Sequence, residues 1–484
     1  MVELVDTRDL KSRGRGSVRA GSSPAPGTTL SLQKSNKLSS AKLLKIRLGS
    51  WLASSTSRLF FPESSQLKAD ESKARPEQHG FRLTICSEFE RRAAKSIRVR
   101  KRRNRMLQDF QIYDADAHVI FSPGMWATLP KQYQLRRPRA VRIEDSADLG
   151  RYTNGWLIDG RILPCALGPG TQPGNEPKRV LKEFGASFDA PQFPAGSIDL
   201  SDPQARIRDL DRVGIDVQVL FPTTGYARFT TDPGFEAALY RSYNRYMGEH
   251  CAANPKRLKW AGLLPLRDTA EGIKAIEEMQ RLGAVAAVVF GTAGERLLSD
   301  ASFTPVWDEF VRSGLPLCIH MGMSFTPFQG VCESFFEAHG IGMSLPAQMG
   351  FVAIVGGGML DRYPDLKVGF LEFGAEWIFY MVGRLGHYLP IDRDAQPNKD
   401  KLPRNQIEDY LKSGRIFVAA EAEDPLLLQE LALIGEDQIL CASDIPHSER
   451  RENSGNYTIE RKDLSDQQKR KILYDNSVRL FGKP

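Results

Sequence analysis

The sequence predicts an α/β protein whose main domain is a (β/α)8 TIM barrel, with a long insertion after the first strand and a basic extension ahead of it. Beyond Met106, short apolar or β-branched runs alternate with longer amphipathic stretches, and there are eight such runs. Apolar strands that alternate with helices indicate a parallel sheet covered on both faces. Eight repeats in one domain favour a closed barrel over an open doubly wound sheet.

Each predicted strand has the length of one strand of a β/α barrel, and the predicted helices between the strands are two to three times longer. The predicted strands are Ile112–His118, Val217–Pro222, Leu258–Pro265, Ala284–Phe290, Leu315–His320, Leu366–Glu372, Ile416–Ala420 and Gln438–Asp444. The main predicted helices are Pro233–Ala252, Thr269–Leu282, Ser302–Ser313, Ala375–His387 and Pro425–Gly435.

We expect residues 106–484 to form the catalytic domain. Its stretch 119–206, between the first two strands, is rich in Pro and Gly. Loops of this length in a compact domain are usually functional, and those at the mouth of a barrel cover its site. The stretch is therefore predicted to be a lid or a wall of the substrate pocket.

The extension, residues 1–105, differs from the body in charge and composition. It carries 24 basic and 9 acidic side chains, a balance of +15, whereas residues 106–484 carry 42 and 50, a balance of −8. No stretch of it keeps a helix or strand period, so we expect disorder. Three interpretations remain open: an arm that binds nucleic acid, an extension without specific function, or a misplaced start codon, with Met106 as the true start. Residues 1–28 look like the translation of a transfer-RNA gene, which favours the third.

Composition excludes several other classes of protein. Six cysteines in 484 residues, without C-x-x-C pairs, do not form a disulfide scaffold. No apolar run approaches the roughly 18 residues that cross a bilayer. The acidic body gives no electrostatic reason to bind nucleic acid. We expect a cytoplasmic protein that acts on small molecules.

Polar residues close several of the predicted strands, where the chemistry of a (β/α)8 barrel takes place. They are Asp114, Asp116 and His118 on the first strand, His320 on the fifth, Glu372 on the sixth, Glu421 and Glu423 after the seventh, and Asp444 on the eighth. The two-residue period of a strand puts Asp114, Asp116 and His118 on one side. Taken alone, each aspartate would be interpreted as a turn or helix-capping residue and each histidine as a core residue. Together they predict a metal site.

The predicted ligands are Asp116, His118, His320 and Asp444. Two imidazoles and two carboxylates form a nitrogen and oxygen site that suits Zn²⁺ best and also Mn²⁺. Two carboxylates neutralise a divalent ion, which eases its burial.

The same residues carry a resemblance to a known family. Residues 114–118 (DADAH), 214–222 (GIDVQVLFP), 363–372 (YPDLKVGFLE) and 441–447 (CASDIPH) resemble the amidohydrolase-related family, which includes aminocarboxymuconate-semialdehyde and gamma-resorcylate decarboxylases. The resemblance runs from about Tyr113 to the C-terminus. It implies a metal-dependent barrel enzyme with the four ligands above, and an assembly of two or more subunits. The decarboxylases of this family have a histidine at the end of strand six, where this chain has Glu372.

The resemblance favours a carboxy-lyase that decarboxylates an unsaturated or aromatic acid without oxidation. A metal draws electrons from such a substrate while a nearby acid protonates the carbon that loses carbon dioxide. Glu372 and His447 are the candidate acids. The alternative is a hydrolase of a C–N, C–O or lactone bond, in which Asp444 takes a proton from metal-activated water.

A second alternative is a barrel that binds metal without turnover. For the substrate pocket we expect contributions from Trp126, Phe325 and His339, with core packing as the alternative for the aromatic rings.

Overall fold

A computed structural model describes residues 110–142, 154–164, 193–223, 230–329, 331, 337–395, 397, 399–447 and 454–484. The predicted extension 1–105 lies outside the described residues, as does part of the predicted insertion 119–206. The division into these two segments and a catalytic domain stays a prediction.

The strands are numbered in chain order. They are β1 (Tyr113–Val119), β2 (Arg139–Arg142), β3 (Asn154–Ile158), β4 (Arg161–Pro164), β5 (Val217–Pro222), β6 (Leu258–Leu263), β7 (Ala286–Phe290), β8 (Thr292–Ala293), β9 (Arg296–Leu297), β10 (Leu317–His320), β11 (Val368–Leu371), β12 (Ile416–Ala419) and β13 (Ile439–Leu440).

Eight of these strands form one sheet, in the order β1-β5-β6-β7-β10-β11-β12-β13, with each neighbouring pair parallel. Backbone hydrogen bonds join β1 to the segment that begins at β13: Ala115 N–H donates to Cys441 at 2.9 Å, and His118 N–H donates to Ile445 at 2.7 Å. The sheet therefore closes on itself, and the predicted (β/α)8 barrel is confirmed. Almost every strand residue of this sheet is buried, as strands covered on both faces require.

Helices connect the barrel strands. The α-helices are Ala195–Ile198, Pro203–Val213, Pro233–Cys251, Thr269–Leu282, Thr304–Ser313, Thr326–Gln329, Ser344–Phe351, Met359–Arg362, Trp377–Ala395, Ile407–Leu411, Leu427–Ile434, Ser454–Glu460, Asp466–Arg470 and Asn476–Phe481. Wider π-type turns at Ala338–Met343, Val352–Gly356 and Lys471–Asp475 adjoin three of them. Among the described residues, none of these helices combines the length and the apolar character needed to cross a membrane.

Local sequence explains where the long helices begin and end. Asp232 and Asp268 accept hydrogen bonds from the first free amides of Pro233–Cys251 and Thr269–Leu282. Thr269–Leu282 and Thr304–Ser313 end at Gly283 and Gly314, which have φ values of +82° and +71°. Only glycine adopts this left-handed conformation at little cost, so these positions stop the helices.

Two predicted elements differ in length from the structure. The last barrel strand covers only Ile439–Leu440, because the chain leaves the strand direction before Asp444, whose φ is +57°. The helix predicted to end at His387 continues to Ala395 through Pro390. Leu389 next to this proline is buried in the core, and its packing offsets the lost backbone bond.

The described part of the insertion contains a three-stranded antiparallel sheet, β2-β3-β4, followed by the helices Ala195–Ile198 and Pro203–Val213. Trp156 on β3 is buried and packs its ring against Phe121, which follows β1. The insertion therefore packs on the end of β1 at which the polar residues lie.

Candidate active site

The four predicted ligands lie together at the carboxyl ends of the barrel strands. Asp116 Oδ1 is 3.5 Å from His118 Nε2 and 3.4 Å from His320 Nε2, and Asp444 Oδ1 is 3.1 Å from His118 Nε2. All four side chains are buried, with at most 5 % of each residue exposed. Two strands, β1 and β10, and the loop after β13 therefore direct these atoms toward one point.

These facing atoms make no hydrogen bond to the described part of the chain: Asp116 Oδ1, His118 Nε2, His320 Nε2 and Asp444 Oδ1. A buried polar atom without a hydrogen bond costs about 1–3 kcal/mol, and one partner common to the four atoms would offset this cost. A divalent cation bound by two imidazole nitrogens and two carboxylate oxygens is such a partner. The donor set therefore fits the metal that the sequence predicts.

His320 is held so that one ring nitrogen faces the cluster. Its Nδ1 lies 3.0 Å from the carbonyl oxygen of Met321 and 3.1 Å from Glu372 Oε2. A proton on Nδ1 satisfies these acceptors and leaves the lone pair on Nε2. Burial lowers the pKa of His320, but the carboxylates of Glu372 and Asp116 outweigh it and raise the pKa to about 9. Metal binding must therefore displace a proton.

Glu372 follows β11 directly and reaches over the cluster. Its Oε1 lies 3.7 Å from His118 Nε2 and 3.3 Å from His447 Nδ1. Its φ of +72° is unusual for a residue with a side chain, and such strain collects at functional sites. Burial, aided by Asp444, raises the pKa of Glu372 above its ordinary value against the opposing effect of the imidazoles. The carboxyl therefore holds its proton to a higher pH than a solvated glutamate.

His447 lies beside the cluster and contacts three of its members. Its ring stacks on that of His118, with centroids 3.9 Å apart and an interplanar angle of 23°. Its Nδ1 is 2.7 Å from Asp444 Oδ1, and its Nε2 is 3.1 Å from the hydroxyl of Thr223. Burial opposes the charged ring, but Asp444 raises the pKa of His447 well above its usual range. This makes His447 a proton store next to Glu372.

Asp444 stays ionised in this setting. Burial favours its neutral form, but the imidazoles of His447 and His118 hold the pKa of Asp444 far below its ordinary value. The pair of Asp444 and His447 is therefore an ion pair in which the carboxylate keeps the negative charge.

Asp114 does not join the cluster, contrary to the side-chain alternation expected along β1. The register of β1 against β5 shifts between Asp114 and Ala117, which breaks the two-residue period. Asp114 instead accepts hydrogen bonds from the amide and hydroxyl of Ser443, at 2.9 and 2.6 Å, and from Gln218 Nε2 at 2.6 Å. It therefore braces the turn that carries Asp444.

Arg206 in the helix Pro203–Val213 supports the same region and was not singled out by the sequence. It is fully buried, and its Nη2 donates to the carbonyl oxygens of His118 and Ile445, both at 3.2 Å. Its Nε donates to Gln218 at 2.8 Å, and its Nη1 donates to Ser197 at 3.2 Å. One side chain of the insertion thus ties together the two segments that carry His118 and Asp444.

The structure places the three predicted substrate contacts in different surroundings. Trp126 is 1 % exposed, and its ring packs edge-on against Phe121 at 4.9 Å between centroids, inside the hydrophobic core. Phe325, in the loop after β10, is half-buried and lies against Phe328. His339 is half-buried in the turn Ala338–Met343, where its carbonyl accepts a hydrogen bond from Ser344. Their roles in substrate binding stay predictions.

A small cavity, open to solvent, lies at the ends of β6 and β7. Phe290 lines it, and the Phe290 ring lies 6.4 Å from the ring of His320. Arg267 and Glu236 form an ion pair at 2.7 Å in its wall. The cavity adjoins the cluster at Phe290.

A profile of the amidohydrolase family matches residues 114–483, which include every strand of the barrel except one residue of β1. The 2-amino-3-carboxymuconate-6-semialdehyde decarboxylase of Dictyostelium discoideum is 24 % identical over 287 residues, which make up 58 % of this chain and 77 % of that protein.

Solved structures share the fold. An amidohydrolase from Mycobacterium avium subsp. paratuberculosis superimposes with a TM-score of 0.61 and 22 % identity, over 77 % of this chain and 99 % of that one. The 5-carboxyvanillate decarboxylase of Sphingomonas paucimobilis gives a TM-score of 0.55 and 18 % identity, over 78 % and 100 % of the chains. The 5-carboxyvanillate decarboxylase of Novosphingobium aromaticivorans, solved with manganese and 4-hydroxy-3-methoxy-5-nitrobenzoic acid, gives 0.52 and 23 %, over 59 % and 82 %.

Proposed function

This chain belongs to the amidohydrolase family, and from that membership we propose that it is a metal-dependent carboxy-lyase that removes carbon dioxide from an unsaturated or aromatic carboxylic acid. The observation that carries the proposal is the position of Glu372, a half-buried carboxyl with a raised pKa, 3.7 Å from a nitrogen of the predicted ligand His118. Decarboxylation needs an acid at this position, because a proton replaces the carboxylate on carbon.

We propose Asp116, His118, His320 and Asp444 as the ligands of one divalent ion. When bound, such an ion supplies positive charge that draws electrons from the substrate and neutralises its acidic groups. Two imidazoles and two carboxylates suit zinc, and manganese is the ion named in the Novosphingobium structure. Zinc and manganese are therefore the two ions to test.

Glu372 is proposed as the acid that protonates the substrate carbon. The bond between this carbon and the carboxylate breaks, carbon dioxide leaves, and the proton of Glu372 forms the new C–H bond. Glu372 is then left as a carboxylate. His447, whose Nδ1 lies 3.3 Å from Glu372 Oε1, is placed to return a proton to it. Proton transfer between positioned groups of this kind contributes about 10²–10⁴-fold to a rate.

The substrate is proposed to be a small acid whose ring or unsaturated chain enters the cavity next to His320. The name of the Dictyostelium relative, a decarboxylase of a muconate semialdehyde, supports an acid of this class. Apolar residues such as Leu263 and Phe290 line the cavity, which suits a flat carbon skeleton.

A hydrolase is the second candidate, favoured by the ion pair of Asp444 and His447. The carboxylate of Asp444 accepts a proton from a water molecule, His447 passes its own proton to the leaving group, and the proton on Asp444 then moves to His447, 2.7 Å away. The two reactions use the same ligands and differ in their products. In a hydrolase Glu372 has no carbon to protonate.

The deciding experiment incubates the full chain, loaded with Zn²⁺ or Mn²⁺, with hydroxybenzoate-like and muconate-like acids, and in parallel with amides, esters and lactones. We expect release of carbon dioxide and, in D₂O, one deuterium on the product carbon. Hydrolysis of the second panel without carbon dioxide release contradicts the carboxy-lyase. Absence of turnover with both panels and both ions supports a barrel that binds metal without catalysis.

A further inference from the structure

We propose that the chain binds a second, hard divalent cation of the Ca²⁺ class at an oxygen-only site formed by Glu376, Asp424 and Glu430. This site is separate from the histidine-containing cluster and does not depend on the proposed reaction. One carboxylate oxygen from each of the three residues lies within 4.8 Å of the other two.

Three different segments bring the carboxylates together. Glu376 immediately precedes the helix Trp377–Ala395, Asp424 lies between β12 and the helix Leu427–Ile434, and Glu430 lies in the first turn of that helix. Calcium binds oxygen at about 2.3–2.6 Å, so two oxygens on one ion are at most about 5 Å apart. The spacing of the three carboxylates therefore fits one calcium ion without movement of the backbone.

The burial of Glu430 points to a missing partner. Glu430 is fully buried, and neither of its carboxylate oxygens makes a hydrogen bond to the described residues. Asp424 is 5 % exposed; its Oδ1 accepts from the amide of Leu426 at 2.6 Å, whereas its Oδ2 makes no hydrogen bond within the described chain. A buried carboxylate without a partner is costly, and a cation offsets this cost.

Arg461, a positive side chain that acts electrostatically on Glu430, directs its hydrogen bonds to other groups. Arg461 donates from Nη1 to the carbonyl oxygens of Ala422 and Asp424, at 3.0 and 2.8 Å, and from Nη2 to the carboxylate of Asp463 at 2.7 Å. Its hydrogen bonds thus go to main-chain oxygens and to a fourth acid. Three carboxylates remain to balance the charge of a divalent ion.

The donor set also distinguishes this ion from the one at the barrel mouth. Carboxylate oxygens without nitrogen or sulfur are typical ligands of calcium, magnesium and manganese, whereas imidazoles bind zinc and other transition metals well. Among the hard ions we propose calcium, because it accepts the more flexible coordination geometry. The competing occupant is a single proton shared by Asp424 and Glu430.

In the experiment, the histidine-containing cluster of the full chain is first saturated with Zn²⁺, and Ca²⁺ is then titrated in. Calorimetry measures the affinity for Ca²⁺, and elemental analysis measures the number of ions bound per chain. We expect one Ca²⁺ per chain, and a Glu430→Gln variant that binds it at least tenfold more weakly. Glu408→Gln is the matched control, because Glu408 also lies in the first turn of a helix but is exposed. Its affinity for Ca²⁺ is expected to equal that of the wild type.

Equal Ca²⁺ binding by the Glu430→Gln and Glu408→Gln variants overturns the proposal, as does wild-type protein that takes up no Ca²⁺ beyond the Zn²⁺. A Glu430→Gln variant that is more stable than the wild type, with no Ca²⁺ effect on either, identifies the shared proton and also overturns it. If Glu430→Gln does not fold, Glu376→Gln decides, because this exposed residue can be changed without leaving a buried group unpaired. Unchanged affinity in that variant rejects the site.

Discussion

Glu372 Oε2 lies 3.1 Å from Nδ1 of His320, on the side of the imidazole ring opposite to the nitrogen that faces Asp116. The other oxygen of the same carboxyl lies 3.3 Å from His447. One carboxyl therefore contacts both a proposed metal ligand and a proposed proton store. Glu372 can therefore have two effects, orientation of His320 and proton transfer. Metal content reports the first, and kcat reports the second.

The first prediction concerns proton transfer. Glu372→Gln keeps the shape of the side chain but removes the proton donor, so kcat is expected to fall about 10²–10⁴-fold. Metal content is expected to stay near that of the wild type, because the amide still accepts a hydrogen bond from His320. Elemental analysis and steady-state kinetics check both. Glu277→Gln, an exposed change on the helix Thr269–Leu282, is the control, and a Glu372→Gln variant within threefold of wild-type kcat contradicts the role.

The pH dependence of kcat follows from the raised pKa of Glu372. Burial is its main cause, and Asp444 adds to it. The protonated carboxyl is the donor, so activity is present below the raised pKa and is lost as the pH rises through it. A solvated glutamate would already have lost its proton above about pH 5. We therefore expect kcat to stay level past pH 5, then to fall on the alkaline side.

In Glu372→Gln the residual activity should lack this alkaline decline. A rate that instead increases with pH across the same range identifies a base as the essential group, which agrees with the hydrolase. The pH–rate profile of kcat, rather than kcat/KM, is the measurement, because it reports the enzyme with substrate bound.

Removal of either of two proposed ligands is expected to release the metal. His320→Ala and Asp444→Ala each delete one of four donor atoms, and the purified variants should contain less than about a tenth of the wild-type metal, since loss of a ligand costs at least tenfold in affinity. His387→Ala removes an exposed histidine on the helix Trp377–Ala395 and should retain the metal. Unaltered metal in both ligand variants would overturn the assignment.

Arg206 is expected to matter for the metal without touching it. Arg206→Met keeps the length of the side chain but loses the donors to His118, Ile445, Gln218 and Ser197. Four acceptors then lose a buried partner, so both the melting temperature and the metal affinity should fall, the latter about 10–100-fold.

Arg208→Met is the matched control for Arg206, because it lies in the same helix with its side chain 68 % exposed. A merely structural role for Arg206 predicts a lower melting temperature with unchanged metal affinity in the protein that remains folded. Competition with a chromophoric chelator measures that affinity.

Trp126 and Phe325 should respond differently to truncation. Trp126→Ala opens a cavity in the core and is expected to cost about 3–5 kcal/mol of unfolding free energy. Phe325→Ala changes a half-buried ring in the loop after β10, and the expected effect is a higher KM with a near-wild-type free energy of unfolding. Chemical denaturation and substrate saturation curves distinguish the two. If the Trp126→Ala protein is as stable as the wild type and has a raised KM, Trp126 contributes to the substrate pocket and not to the core.

Strand ends were the most informative feature of the sequence. Each of the eight apolar runs became a barrel strand, and because parallel strands align their carboxyl ends, His118, His320 and Asp444 had to come close together. Hydrophobic periodicity fixes this much without knowledge of any contact. The helix limits followed from short-range signals such as Asp268 and Gly283.

The remaining features depend on tertiary contacts that have no local pattern. A register shift in β1 turned Asp114 away from the cluster, and strand periodicity does not reveal such a bulge. Arg206 is one of several arginines in an amphipathic helix, and only the fold shows that it alone is buried. Glu430 likewise looks like an ordinary acid in a first turn until β12 and its loop bring Asp424 beside it.

The barrel closes where β1 meets the segment after β13. There the carbonyl oxygen of Asp116 accepts hydrogen bonds from the backbone amides of Ser443 and Asp444. Asp114 and Ser443, which bond across this seam, are 329 residues apart in the chain. During synthesis, three of the four proposed ligands leave the ribosome long before the fourth. A nascent chain therefore cannot complete the proposed metal site until translation has passed Asp444, so metal would load only after the last barrel segment has been made.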